Sequence, residues 1–471
     1  MKNLSETVRQ ESAALYRFID SVIRRCSEIH EYPVYTESSE RFLKHVKELG
    51  AATKEFLKNF PASTEKDKDT ALSKRRKLSS VRSGWENLHE YLQAALEADT
   101  LHVPTSLILA IQDQINRLED LKELRFTVFH SDQVNYLQLP PGTVKEAADE
   151  LADIVQGRRF PLSLGLIGMP YSQSEGFFLN CLLAHEMGHV AYQEVYSPDV
   201  TTQIESALEA LEREVGVLDD QDITLSLDTL KYWTEEIFCD LFAICLIGPA
   251  YSFALIELTG ATLLADLPDT VVDMFHSFTE YHPADIARFH LHLTLHKKLG
   301  WWPEIEKISS PYVDVLRVSE TKSANVRIET TTIPERVGDE RFLQCFWQIS
   351  AWLVKFVPRQ VTFASELITA YRDQSDRICE SFRQAVVPST VVIRGRRVHP
   401  DPVVLIDAAF RFYLEGIPKL IDNIEEGDPT KVESRSWSAE RLEMWALKAI
   451  EDCRLIRRAE NQYGGRPQTR D

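Results

Sequence analysis

The chain has 471 residues, of which 44% are hydrophobic and 27% charged, ordinary values for a folded globular protein of two or three domains. Its 72 acidic residues outnumber 53 basic ones, and the net charge of −19 excludes the basic face of a general nucleic-acid binder. Seven scattered cysteines make no disulfide framework, and the polar start, Met1 to Thr7, has no apolar signal core, so a cytoplasmic location is expected.

Residues 1–125 read as a helical N-terminal region. Leu15, Phe18, Ile19, Val22, Cys26 and Ile29 recur at three- and four-residue steps. That amphipathic stripe serves either as internal core or as a docking face for a protein partner. A second helical piece spans about Phe42 to Phe60, and residues 61–77 read as a polar connector. Within it Lys74-Arg75-Arg76-Lys77 reads as a solvated loop rather than a nucleic-acid patch. Helical patterns resume over Trp85–Ala98 and Thr105–Leu124.

A core region is expected over 126–300. Phe126 to His130 has strand character, Val144 to Ile154 that of a short helix, and Phe160 to Pro170 is extended, apolar and rich in Gly and Pro. Ser172 and Glu175 have the spacing of a capping box ahead of another helix. After that helix, Glu205–Asp222 is acidic and reads as a helical insertion. Ile237 to Leu258 has the length of a membrane span, but Asp240 and the Gly248-Pro249 break favour a buried core helix and no membrane partner. From 301 to 460 a mainly helical region is expected, with a hairpin at Val391–Val398 turning on Gly395. Residues 461–471 read as a disordered tail. The fold class is therefore α+β and mostly helical, with a small mixed sheet in the core.

The chemistry concentrates at His185-Glu186-Met187-Gly188-His189. Four residues apart on a helix, His185 and His189 share one face and can address a single ion, with Glu186 beside it. Two unrelated histidines would show the same pattern, but the flanking run from Phe177 to Tyr192 is apolar, where buried polar groups need a reason. Downstream, Glu236 and Asp240 are four apart on another apolar stretch. One carboxylate can bind the ion while the other accepts a hydrogen bond from a ligand histidine. Glu235 is the rival for the third ligand. His290, His292 and His296 do not share one helical face and read as surface or core histidines rather than as a second metal site.

His185-Glu186-x-x-His189 followed by Glu236-x-x-x-Asp240 resembles the gluzincin metallopeptidases, the thermolysin-like clan, over roughly residues 160–290. The resemblance implies a zincin-like core with one Zn2+ held by His185, His189 and Glu236. It makes Glu186 the general base and Asp240 the outer partner of a ligand histidine. It further implies that the strand in 160–170 lies at a sheet edge and pairs with an extended substrate. In Tyr281-His282-Pro283-Ala284-Asp285-Ile286-Ala287-Arg288 it makes His282 and Arg288 candidates for steadying an oxyanion, with Tyr281 behind them. Tyr413 is a weaker candidate from the C-terminal region. The expected function is zinc-dependent hydrolysis of a protein or peptide substrate by metal-activated water. The alternative is a catalytically silent, metal-stabilised sensor or scaffold.

Overall fold

In the computed structural model the described residues are 2–28, 37–59, 68–96, 104–122, 124–131, 137–139, 141–159, 164–170, 176–215, 220–262, 273–323, 326–328, 339–418 and 430–463. The chain is mostly helical, and its contacts divide it into two compact units. One unit comprises residues 1–103 and 122–174, the other 104–121 and 175–471. Ser172 and Glu175 lie outside the described residues.

In the first unit, α1 (Lys2–Glu28), α2 (Glu37–Asn59) and α3 (Lys68–Leu96) pack with α5 (Pro141–Val155); α4 (Thr105–Ile115) belongs to the second unit. Leu15, Ile19 and Val22 of the α1 stripe are buried in a core with Leu49, Val81, Trp85 and Leu151. The stripe therefore covers its own unit. Residues 74–77 are a turn of α3 rather than a loop, and Arg75 pairs with Glu11 at 3.3 Å.

The sheet of this unit is mixed, in the order β1 (Arg125–Ser131), β3 (Leu164–Pro170), β2 (Leu137–Leu139). β3 pairs in parallel with β1 along its whole length, and antiparallel with β2 from Leu166 to Gly168. The edge position expected for 160–170 is thus corrected. β3 is the central strand, and over Leu166–Gly168 its backbone groups are taken on both sides, which leaves no free ladder there for an added peptide.

The second unit is built on α8 (Asp220–Ile247), whose residues from Ile237 to Ile247 are all fully buried. A helix apolar all round must be covered all round. α6 (Leu183–Ala191), α7 (Ser197–Val215) and α10 (Asp285–Leu299) pack on it, as does the helix Asp339–Gln360. Trp233 of α8 meets Phe342 and Phe346 of that last helix edge-on, at 5.5 and 5.9 Å. The boundaries expected at 125 and 300 therefore fall inside units. The strands pack with the N-terminal helices, and the C-terminal helices complete the cover of α8. No helix among the described residues is long and apolar enough to cross a membrane. The hairpin is present as Val391–Ile393 paired with Arg396–Val398, and the last helix runs from Thr430 to Tyr463, past the expected start of the tail.

Two local features set the approach of the helices around α8. At Gly188 a Cβ would sit 3.0 Å from the Cys239 Cα and 3.2 Å from its Cβ, so α6 and α8 approach to backbone distance. At Gly248, φ is +72° and α8 gives way to α9 (Pro249–Thr259). The Asp407 carboxylate accepts the Ala250 N–H at 2.8 Å, which anchors the start of α9 one residue before Tyr251.

Gly188→Ala tests the first feature. Alanine improves helix propensity by about 1 kcal/mol, but its methyl group meets backbone, and overpacking costs about 1–3 kcal/mol. Thermal unfolding should show a lower Tm; a rise would mean that the close approach is unimportant.

Candidate metal centre

α6 and α8 face each other across the Gly188–Cys239 contact, and that juxtaposition brings two sequence signals together. His185 and His189 lie one turn apart on α6, and their Nε2 atoms are 3.1 Å from each other. From α8, Glu236 places Oε2 3.5 Å from His185 Nε2 and Oε1 3.4 Å from His189 Nε2. These three residues form a group able to hold a metal ion, with all ligand atoms within 4.8 Å of one another.

The outer ring nitrogens are engaged by carboxylates. His185 Nδ1 lies 2.9 Å from Asp240 Oδ1, and His189 Nδ1 lies 2.9 Å from Glu235 Oε1. A carboxylate on Nδ1 fixes the proton there and leaves the lone pair on Nε2. Two imidazole nitrogens and a carboxylate then converge on one point, where a shared proton or a metal cation satisfies them. An ion bound tetrahedrally at about 2.0–2.1 Å keeps its ligand atoms about 3.3–3.4 Å apart. The two Nε2 atoms are 3.1 Å apart, and each lies near a different oxygen of Glu236, Oε1 at 3.4 Å for His189 and Oε2 at 3.5 Å for His185, which brings the group close to that requirement.

Glu235 and Glu236 divide the work because successive helical residues point about 100° apart. Glu236 faces the ion position, whereas Glu235 supports His189 from behind and also accepts from Gln193 Nε2 at 3.1 Å. Glu235 therefore partners His189, and Glu236 rather than Glu235 completes the candidate group.

Behind His185 the site is dry. Asp240 is fully buried, and Arg288 of α10 donates to it twice, Nε to Oδ2 at 2.8 Å and Nη2 to Oδ1 at 2.7 Å. The Tyr251 hydroxyl donates to the same Oδ1 and lies 3.0 Å from His185 Nδ1. His292 Nε2 is 3.2 Å from Oδ2. Burial alone would raise the Asp240 carboxyl, but these cationic and donor groups, Arg288 foremost, hold it well below the usual range. Burial likewise opposes ionisation of Glu236, yet His185 and His282 hold it well below its ordinary value. Burial lowers His292 and His296, which are neutral core histidines; His296 is 2.8 Å from the Ser252 hydroxyl.

On the open side stand Glu186, partly exposed, and His282, whose side chain is 63% exposed with Nδ1 3.6 Å from Glu236 Oε2. Of the two expected oxyanion groups, His282 is at the rim and Arg288 is in the wall. Arg288 is 8% exposed and committed to Asp240, with Nη2 3.7 Å from Glu236 Oε2. Tyr413 stacks on Phe178 at 4.5 Å, ahead of α6. Tyr251 is not legible in the sequence, because nothing near Gly248-Pro249 marks it; its signal is the turn that points α9 back at α8. No family model, curated protein or solved structure matches the chain.

Metal titration should give one equivalent per chain, lost in His189→Ala and Glu236→Ala. Asp240→Asn should weaken binding about 10- to 100-fold. Full affinity in that variant would remove the supporting role of Asp240. The charge on the site also sets a pH dependence. Although burial opposes it, the hydrogen bonds and charges of Asp240 and Glu236 raise His185 from 6.5 to about 10 in the metal-free site. A raised histidine stabilises the fold below its unfolded pKa and loses that contribution as pH rises through its folded one. Metal-free protein should therefore lose Tm between about pH 6.5 and 10, while metal-loaded protein should not. Parallel curves for the two forms would count against it.

Proposed function

We propose that this protein is a zinc-dependent metallopeptidase with a zincin-like catalytic site in its second unit, as the gluzincin resemblance of 185–189 and 236–240 implies. The observation that carries the reading is the convergence of His185 Nε2, His189 Nε2 and Glu236, with both Nδ1 atoms held by carboxylates. Two imidazoles and one carboxylate are the donor set of an open, catalytic zinc site rather than of a closed structural one. When bound there, zinc supplies Lewis acidity towards a substrate carbonyl and lowers the pKa of water.

The chain's own groups do the rest. Glu186 follows His185 on α6, partly exposed and so in reach of solvent and substrate. Its carboxylate takes a proton from the attacking water and delivers it to the leaving amine. His282 on the open rim is placed to hydrogen-bond the oxygen on which charge develops. Arg288 acts through Asp240, holding it ionised so that His185 keeps its proton on Nδ1 and its lone pair inward. Six described cysteines are free and buried, which suits a reducing, cytoplasmic setting.

Glu186→Gln should bind zinc as the parent does but cleave a peptide library about 10²- to 10⁴-fold more slowly, the usual worth of a general base. Metal content is read by elemental analysis and turnover by mass spectrometry. Undiminished cleavage would sink the role of Glu186. Zinc bound by the parent with no cleavage at all would favour a metal-stabilised, silent protein.

A further inference from the structure

Exposed hydrophobic side chains are ordinary singly, and carry meaning when they cluster beside a candidate site. Tyr232 is 47% exposed and Tyr281 is 53% exposed, and their rings meet edge-to-face at 5.3 Å and 70°. Both are tied to the metal centre by the chain itself. Tyr232 precedes Glu236 by four residues on α8, so the two stack on one face, one turn apart. Tyr281 adjoins His282, whose Nδ1 is 3.6 Å from the same Glu236.

The turn that presents Tyr281 is fixed. Trp233 is fully buried and donates from Nε1 to the Thr279 carbonyl at 2.8 Å. The Thr279 N–H donates to the His282 carbonyl at 2.9 Å, and the His282 N–H donates to Thr279 Oγ1 at 3.0 Å. A single stretch of α8 thus pins the turn (Trp233), supplies one ring (Tyr232) and supplies the ligand (Glu236). A preorganised aromatic pair orders nothing further when a ligand arrives.

We propose that Tyr232 and Tyr281 form a substrate subsite that receives an aromatic side chain next to the bond cleaved at the metal centre. Peptides with Phe, Tyr or Trp beside the scissile bond are its substrate class. The two ring edges and faces offer the tilted and edge-on contacts that aromatic groups prefer. The inference rests on the proposed hydrolytic reading, but it can be measured without turnover.

Zinc-loaded Glu186→Gln protein is titrated with two fluorescent peptides that differ only in Phe or Gly at one position. The Phe peptide should bind about tenfold more tightly, since an aromatic contact is worth about that factor. Tyr232→Ala and Tyr281→Ala should each erase most of the difference, and Tyr281→Phe should keep it. Both tyrosines are about half exposed, so the variants should fold as the parent does, which matching thermal unfolding checks. Equal affinity for the two peptides, or a preference that survives both alanine variants, overturns the subsite. In parallel, the zinc-loaded parent is assayed for cleavage of both peptides. Aromatic-selective binding without cleavage leaves the subsite standing and removes the hydrolytic reading, whereas cleavage without selectivity does the reverse.

Discussion

A single carboxylate with no access to water, that of Asp240, is the constraint around which the second unit is arranged. An isolated ionised carboxylate in an apolar interior costs several kcal/mol or more. It is tolerated here because three neighbouring helices bring donors to it. α6 supplies His185, α9 Tyr251 and α10 Arg288, while His292 of α10 comes within 3.2 Å of Oδ2 without a hydrogen bond. Each of those helices is therefore held in register with α8 by a polar contact as well as by apolar packing. Disturbing any one of them leaves charge unmatched in the middle of the unit.

The same constraint makes the two histidines of the candidate centre unequal. His185 is backed by Asp240 and its buried cluster, whereas His189 is backed by Glu235 and Gln193 near the surface. The site thus has a buried wall and a more exposed one. Glu186, His282 and the two exposed tyrosines lie on the side where groups meet solvent.

Much of the centre is legible in the sequence because helical periodicity is a short-range rule. His185/His189 and Glu236/Asp240 are four-residue pairs, so each pair's shared face follows from spacing alone. That the two pairs meet does not. It depends on Gly188 fitting against Cys239, and a glycine inside a histidine motif does not announce which helix it will touch. The division of labour between Glu235 and Glu236 is likewise a matter of helix rotation, fixed only once α6 is in place. An apolar, Gly-rich strand such as β3 looks the same at a sheet edge or at its centre; the three residues of β2 decide it. Boundaries at 125 and 300 follow shifts in composition, whereas units are set by which apolar faces meet, as Trp233 meets Phe342.

His189 and Glu235 are 46 residues apart in the chain. An ion held by α6 and α8 would therefore act as a removable cross-link that closes a long loop, α7 included. Closing a loop of that length in the unfolded chain costs entropy of a few kcal/mol, much as it does for a disulfide. Unlike a disulfide, such a closure would follow the supply of metal and need no oxidant, in a protein whose described cysteines are all free. The stability of the second unit would in this way rise and fall with the supply of that ion.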